Sequence, residues 1–157
     1  MKIEALIDGL QKFQKNSKNF FPKLTISFSE HYAVKEKWST QQIPFSDDNG
    51  LYFYVSKEDE IWYIGKGEFT NGGGIGNRSC SHLGLFAKGK ENLFPFHQWI
   101  NDVKVSKDIK ENLSQGNFEI VTLQIIPAFF CSLIEVVSIT LVAQSDKKLP
   151  ALNKKIG

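Results

Sequence analysis

Cysteine is scarce in this chain. Cys80 and Cys131 are the only two, they lack CxxC spacing, and the three histidines, His31, His82 and His97, do not cluster with them. A disulfide framework or a Cys/His zinc set is therefore excluded as the organising principle. Long hydrophobic runs are missing too. No uninterrupted apolar stretch reaches about 18 residues, and the opening MKIEALIDGLQKFQK alternates charge with apolar residues, which is the pattern of neither a spanning helix nor a secretory signal. The expectation is a cytoplasmic protein with no membrane partner. There is no G-x-S-x-G elbow, and neither cysteine sits beside a histidine in a protease-type signature, so acyl transfer has no support. The stretch 71–76, NGGGIG, lacks the Gly-Lys-Ser/Thr ending of a P-loop, and the third glycine of G-x-G-x-x-G would fall on Asn77. That leaves a flexible loop as the reading of residues 66–76. Internal repeats and low-complexity tracts are also absent.

What is present is core-forming material. The 157 residues are 41% hydrophobic and 13% aromatic, with thirteen Phe, which suits one globular domain and disfavours disorder. The net charge of +2 announces no nucleic-acid partner by itself, but it is unevenly spread. Residues 1–45 carry +3, 46–70 carry −4, 71–118 carry +2 and 119–157 carry +1.

Apolar residues at three- and four-residue steps, Ile3, Leu6, Leu10 and Phe13, predict an amphipathic helix over residues 2–18. A short strand at 24–28 and a helix over 29–42, with Ser29 as its cap, follow. The polar, turn-rich stretch 46–50 marks the boundary between an N-terminal extension, 1–45, and the main unit, 46–157. There, the β-branched and aromatic runs 50–56 and 61–65, separated by Lys57-Glu-Asp-Glu60, predict an antiparallel hairpin. A helix over 77–87 follows. Another from about Pro95, taking in Trp99, Ile100, Val103, Ile109 and Leu113, should stop by Gly116. Residues 118–126 read as a strong strand, and Pro127 opens an unusually apolar helix to Gln144. The fold class is α+β.

Several side chains stand out against this frame. Tyr52 and Tyr63 fall on opposite strands of the hairpin, each bracketed by glycine as Gly50-Leu51-Tyr52 and Tyr63-Ile64-Gly65. Arg78 and His82, four apart, project from one helix face. Arg78 is the only arginine among nineteen basic residues, a choice that suits a planar fork for phosphate or carboxylate. Glu135 lies in the most apolar helix, where an unpartnered carboxylate would cost several kcal/mol or take up a proton. It must therefore face a cation, an arginine or water.

This ordered set, with ten residues between the two tyrosines and a terminal Pro150-x-Leu-Asn153, resembles the GIY-YIG nuclease superfamily over residues 49–154. Leu51 stands where the family usually has Ile. The resemblance implies a small three-stranded antiparallel sheet flanked by helices, here with an N-terminal helical extension. It also implies phosphodiester hydrolysis with a divalent metal, Mg²⁺ or Mn²⁺. Tyr52 would be the general base, its phenolate stabilised by Lys66 or Arg78, because a phenol with a pKa near 10 is a poor base at neutral pH. Arg78 would hold a phosphate oxygen, and His82 and Tyr63 would orient water or substrate. Glu135 would be the metal's one protein ligand, and Asn153 would fix Glu135 or a backbone turn. Lys88, Lys90, Lys104 and Lys107, with lysines 147, 148, 154 and 155, would supply nonspecific phosphate contacts. The expected substrate is DNA, with RNA left open. Restriction-type cleavage is favoured because no long appended domain is present, and one active site per chain suggests a homodimer or sequential nicking. The alternative is a non-catalytic nucleic-acid-binding or partner-binding module on the same scaffold.

Overall fold

The computed structural model describes residues 1–33, 43–69, 73–82 and 102–154. Helix α1 (Ile3–Asn16) leads to strands β1 (Thr25–Phe28) and β2 (Tyr32–Ala33). The hairpin β3 (Gly50–Val55) and β4 (Ile61–Gly67) is followed by α2 (Gly74–His82) and α3 (Lys107–Gln115). Strand β5 (Glu119–Ile126), one 3₁₀ turn (Ala128–Phe130) and α4 (Cys131–Asp146) complete the order. The architecture is α+β, with every strand pairing antiparallel.

The sheet has five strands where three were expected, in the order β1-β5-β3-β4 with β2 also on β5. Two additions come from the N-terminal segment. Thr25 to Phe28 pair with Ile126 to Leu123, and Tyr32 and Ala33 pair with Ile120 and Glu119. The anticipated helix from Ser29 is thus replaced at Tyr32–Ala33 by strand. Ser29 serves as a bridge: its N–H donates to the Thr122 carbonyl and its Oγ accepts from the Thr122 N–H, both at 2.9 Å. A serine hydroxyl competes well for backbone groups, and here the unpaired groups belong to a strand edge. Residues 34–42 lie outside the described residues.

The sheet buries both faces. Leu51, Phe53, Val55, Ile64, Val121, Leu123 and Ile125 pack on Ile3, Leu6 and Leu10 of α1 and on Ile134, Ile139 and Val142 of α4. At about 1.5–3 kcal/mol for each large side chain removed from water, this layer is a main source of stability. It makes the N-terminal helix part of the principal core. The second face carries Tyr52, Tyr54 and Ile120 against Ile75 and Cys80 of α2, Leu113 of α3, and Phe118.

Other boundaries differ from expectation for local reasons. Gly65 and Gly67 belong to β4, and α2 begins at Gly74, with Gly74, Ile75 and Gly76 buried. The N–H groups of Ile75 and Gly76 donate to the carbonyls of Asp48 and Ser46, at 3.0 and 2.9 Å. Those carbonyls partner the first-turn donors that helices leave unpaired. A Cβ on Gly74, at φ +78°, would lie 2.6 Å from the Ser46 oxygen, so glycine there permits the close docking. Farther on, Val103 is 93% exposed in a turn. Ser106, whose Oγ accepts from the Ile109 N–H, opens a separate helix that stops at left-handed Gly116. The parts of the predicted helices at 83–101, with Trp99 and Ile100, lie outside the described residues.

Helix α4 with its preceding turn, Ala128–Asp146, is long and apolar enough to cross a membrane by length and composition, at a mean hydropathy of 1.7. The absence of a long uninterrupted apolar run did not predict this, because Glu135 and small polar residues interrupt the stretch without lowering its mean enough. Cys131, Ile134, Ser138, Ile139 and Val142 are buried in the core.

Candidate functional site

Alternation along two paired strands puts three phenols on one face. Tyr52 stands opposite Gly65 and Tyr54 opposite Tyr63, while Val55 pairs with Ile61, so Trp62 is an extra residue in β4. This bulge re-aims Tyr63 onto the face of Tyr52 and Tyr54. The Tyr54 and Tyr63 rings stack at 5.4 Å, and Tyr52 lies 5.9 Å from Tyr63. Gly65 gives Tyr52 its place: a Cβ there would fall 2.3 Å from Tyr52 Cζ and 2.5 Å from its Oη.

Helix α2 brings the next members. Tyr52 Oη lies 2.6 Å from His82 Nδ1 and is also hydrogen-bonded to the Tyr63 phenol. Tyr54 Oη donates to the Ser79 carbonyl at 3.1 Å. The Tyr63 and His82 rings meet edge to face at 5.5 Å. Tyr63, Tyr52 and His82 therefore form a hydrogen-bonded row from a partly exposed phenol, through a fully buried one, to an imidazole.

The electrostatics of this row differ from the expected resting phenolate. Burial pushes the Tyr52 phenol well above its ordinary value, and the charges of Tyr54 and Tyr63 add to that rise; Arg78 opposes it. Tyr63 is pushed up to about 12, again mainly by burial, with Glu135 raising it and Arg78 lowering it. Lys66 lies on the opposite face of β4 from Tyr52, which pairs with Gly65. It donates to Ser132 Oγ at 2.8 Å and pairs with Glu68 at 3.2 Å. Both tyrosines thus rest as neutral phenols. His82 is pushed down to about 4 by burial and then by Arg78, so it rests as a neutral imidazole at physiological pH.

The depressed value has a measurable sign. The folded pKa lies below the ordinary 6.5, so between these values the unfolded chain binds a proton that the folded chain refuses. The stability contribution is whole above about 6.5 and is lost as pH falls toward about 4. A His82→Gln variant should therefore show a flatter fall in thermal midpoint than the parent across that window. Parallel melting curves would contradict the assignment.

Glu135 approaches from the other face, around the β4 edge. It is half-buried, and burial raises its carboxyl above the ordinary value; Lys66 pulls it down and Glu68 pushes it up. Ser132, one helical turn before Glu135, carries the Lys66 contact. Tyr63 responds to both Arg78 and Glu135, which links the two sides of the cluster. Arg78 is exposed. Asn153 does not contact Glu135: its Oδ1 accepts from the Ile64 N–H and its Nδ2 donates to the Ile64 carbonyl, both at 2.9 Å. It completes the outer edge of β4 between Tyr63 and Gly65, as a backbone strand would.

Sequence reading passed over Tyr54 and Glu68. Tyr54 stands two residues from Tyr52 on the same face of β3, and Glu68 follows the end of β4, where it pairs with Lys66. Beside Glu68, a cleft of about 410 Å³ is lined by Asp47, Asn49, Glu68, Phe69, Ala128 and Phe129. Phe69 and Phe129 are 61% and 76% exposed. Lys104 and Lys107 are exposed before and at the start of α3, and Lys154 pairs with Asp102 at 3.2 Å. Lys88 and Lys90 lie outside the described residues. Burial pushes both cysteine thiols up to about 11, which disfavours a reactive thiolate.

No protein-family model, curated protein or solved structure matches this chain.

Proposed function

We propose that this chain is a GIY-YIG-like, divalent-metal-dependent endonuclease acting on DNA. The observation that carries the reading is the row of Tyr63, Tyr52 and His82, drawn from distant parts of the chain, with Arg78 and Glu135 near enough to act on Tyr63 electrostatically. In this reading β3, β4 and β5 are the three-stranded nuclease sheet, to which β1 and β2 are additions.

Phosphodiester hydrolysis needs a water deprotonated in line with the leaving oxygen and neutralisation of the phosphoryl charge. Arg78, exposed beside the phenols, supplies a forked donor for the non-bridging oxygens. Tyr63 is the solvent-reaching end of the hydrogen-bonded row. A proton taken up at its oxygen passes by concerted transfer through Tyr52 to His82 Nδ1, so no isolated phenolate forms in the buried layer. Burial is the main reason His82 is held low; the incoming phosphate offsets the further contribution of Arg78 and so raises the basicity of the acceptor in part. Tyr52 thus becomes the middle of a relay, in place of a solvent-exposed base.

Glu135 fits a divalent cation. It is a half-buried carboxylate whose charge is disfavoured by its surroundings and incompletely offset by Lys66, and Mg²⁺ tolerates one or two carboxylates while retaining its waters. Glu68 is the second carboxylate available there. Mg²⁺ or Mn²⁺, when bound, supplies Lewis acidity to the phosphate and leaving oxygen. Phe69 and Phe129 offer exposed rings on which an unpaired base near the cut can stack, while Lys104 and Lys107 bind backbone phosphates. Restriction-type cleavage by a homodimer is the biological setting proposed.

The complete burial of Tyr52 favours one alternative, a non-catalytic nucleic-acid-binding module. Plasmid and structured DNA incubated with Mg²⁺, beside Arg78→Ala, separate the two. The nuclease reading expects Arg78→Ala to cut about 10²–10³-fold more slowly. Binding without cutting on every substrate, RNA included, favours the module.

A further inference from the structure

A second cluster lies at the β3–β4 turn end of the sheet, among residues the proposed chemistry does not use. Glu4 comes from the first turn of α1, His31 from the link before β2, and Asp59 from the β3–β4 turn. Their ligand-capable atoms all lie within 4.8 Å of one another. Glu119, at the start of β5, stands beside this group as a partner of its imidazole: its Oε2 is 2.8 Å from His31 Nδ1, which also lies 3.7 Å from Asp59 Oδ1. The backbone brings these segments together independently of any ion. The Ile3 N–H donates to the Asp59 carbonyl at 2.9 Å, and Ala33 pairs with Glu119 in the sheet.

Three carboxylates face one imidazole, and Lys57 Nζ lies 3.5 Å from Glu119. A tetrahedral ion with bonds of about 2.0–2.1 Å spaces its ligand atoms about 3.3 Å apart. The 3.7 Å from His31 Nδ1 to Asp59 Oδ1 is close to that spacing, and the group as a whole, within 4.8 Å, closes to it by side-chain rotation. We propose that Glu4, His31 and Asp59, with Glu119 holding the His31 imidazole, form a binding site for a borderline divalent transition metal such as Zn²⁺, distinct from the Glu135 region. An imidazole among carboxylates selects such ions over Mg²⁺, which prefers oxygen ligands and keeps its waters. Because the ligands come from three segments, the bound ion would clamp the start of α1 to the sheet and stabilise the folded chain. The site stands whether or not the chain cuts nucleic acid.

Isothermal titration of the full chain with Zn²⁺, and separately with Mg²⁺, tests this. One Zn²⁺ per chain is expected to bind tightly and saturably at this cluster, apart from any weaker ion at Glu135, and Mg²⁺ should not compete for it. His31→Ala and Asp59→Asn should each weaken binding at least about tenfold, while Glu135→Ala should not change it. Zn²⁺ should raise the thermal midpoint of the parent and not of His31→Ala. No saturable site, several weak sites only, or unchanged affinity in both cluster variants would overturn the proposal. If one variant does not fold, the other carries the comparison.

Discussion

Changing Glu135 to glutamine is expected to lower Mg²⁺-dependent cleavage by at least about a thousandfold while leaving nucleic-acid binding and the fold in place. The substitution is nearly isosteric, so the packing of α4 is kept. What changes is the anionic ligand. The stability effect has a definite sign because burial holds the Glu135 carboxyl above its ordinary value. A carboxyl raised on folding destabilises the folded state above its unfolded pKa, where the chain must hold a charge its surroundings disfavour. Removing that charge should leave the thermal midpoint at neutral pH equal to or slightly above that of the parent. Cleavage lost together with a lowered midpoint would make Glu135 a structural residue. Cleavage retained would remove it from the metal site.

Gly65→Ala has the second large effect, and it acts through Tyr52. The added methyl would lie 2.3 Å from Cζ and 2.5 Å from Oη of that ring. Such a contact is cheap only where the ring can swing away. Tyr52 cannot do so: it is fully buried, 5.6 Å from Tyr54, 5.9 Å from Tyr63 and 5.8 Å from His82 by ring centroids. Overpacking of this kind costs about 1–3 kcal/mol. The displaced phenol also loses its hydrogen bond to His82, so the proton relay is cut and cleavage should fall with stability. Gly9→Ala is the control. Its methyl would meet the flexible end of Leu141 at 3.1 Å, and alanine favours the α1 helix by about 1 kcal/mol. Chemical denaturation of the two variants should shift in different directions or by clearly different amounts. Equal shifts would mean that Tyr52 yields more easily than its packing implies.

The parts of this structure legible in the sequence are those governed by short-range patterns. Alternating β-branched and aromatic residues gave away β3, β4 and β5, and the steps from Ile3 to Phe13 gave away α1. The glycines around Tyr52 and Tyr63 marked the strand pair that seats the phenols. Strand β2 was not legible because two residues cannot declare a period, and Tyr32–Ala33 becomes a strand only by meeting Ile120 and Glu119 of β5. The bulge at Trp62 was hidden for the same reason, since an extra residue exists only relative to a partner strand.

Side-chain types selected the site better than they described its electrostatics. Tyr52, Tyr63 and His82 lie together and Arg78 acts on each of them electrostatically, but the state of Tyr52 depends on how many apolar and phenolic neighbours exclude water from it, a sum over both strands and α2. Lys66 follows Tyr63 closely in sequence, yet strand alternation turns it to the opposite side, where it meets Ser132 and the field of Glu135. Glu68 went unnoticed until α4 was placed beside it.

The most direct test is cleavage by the parent chain itself: supercoiled plasmid and branched, single-stranded and duplex oligonucleotides, each with Mg²⁺ or with EDTA. The account predicts broken phosphodiester bonds in at least one of these substrates with Mg²⁺ and none with EDTA. Undiminished cutting in EDTA, or intact substrates throughout despite binding, would contradict it.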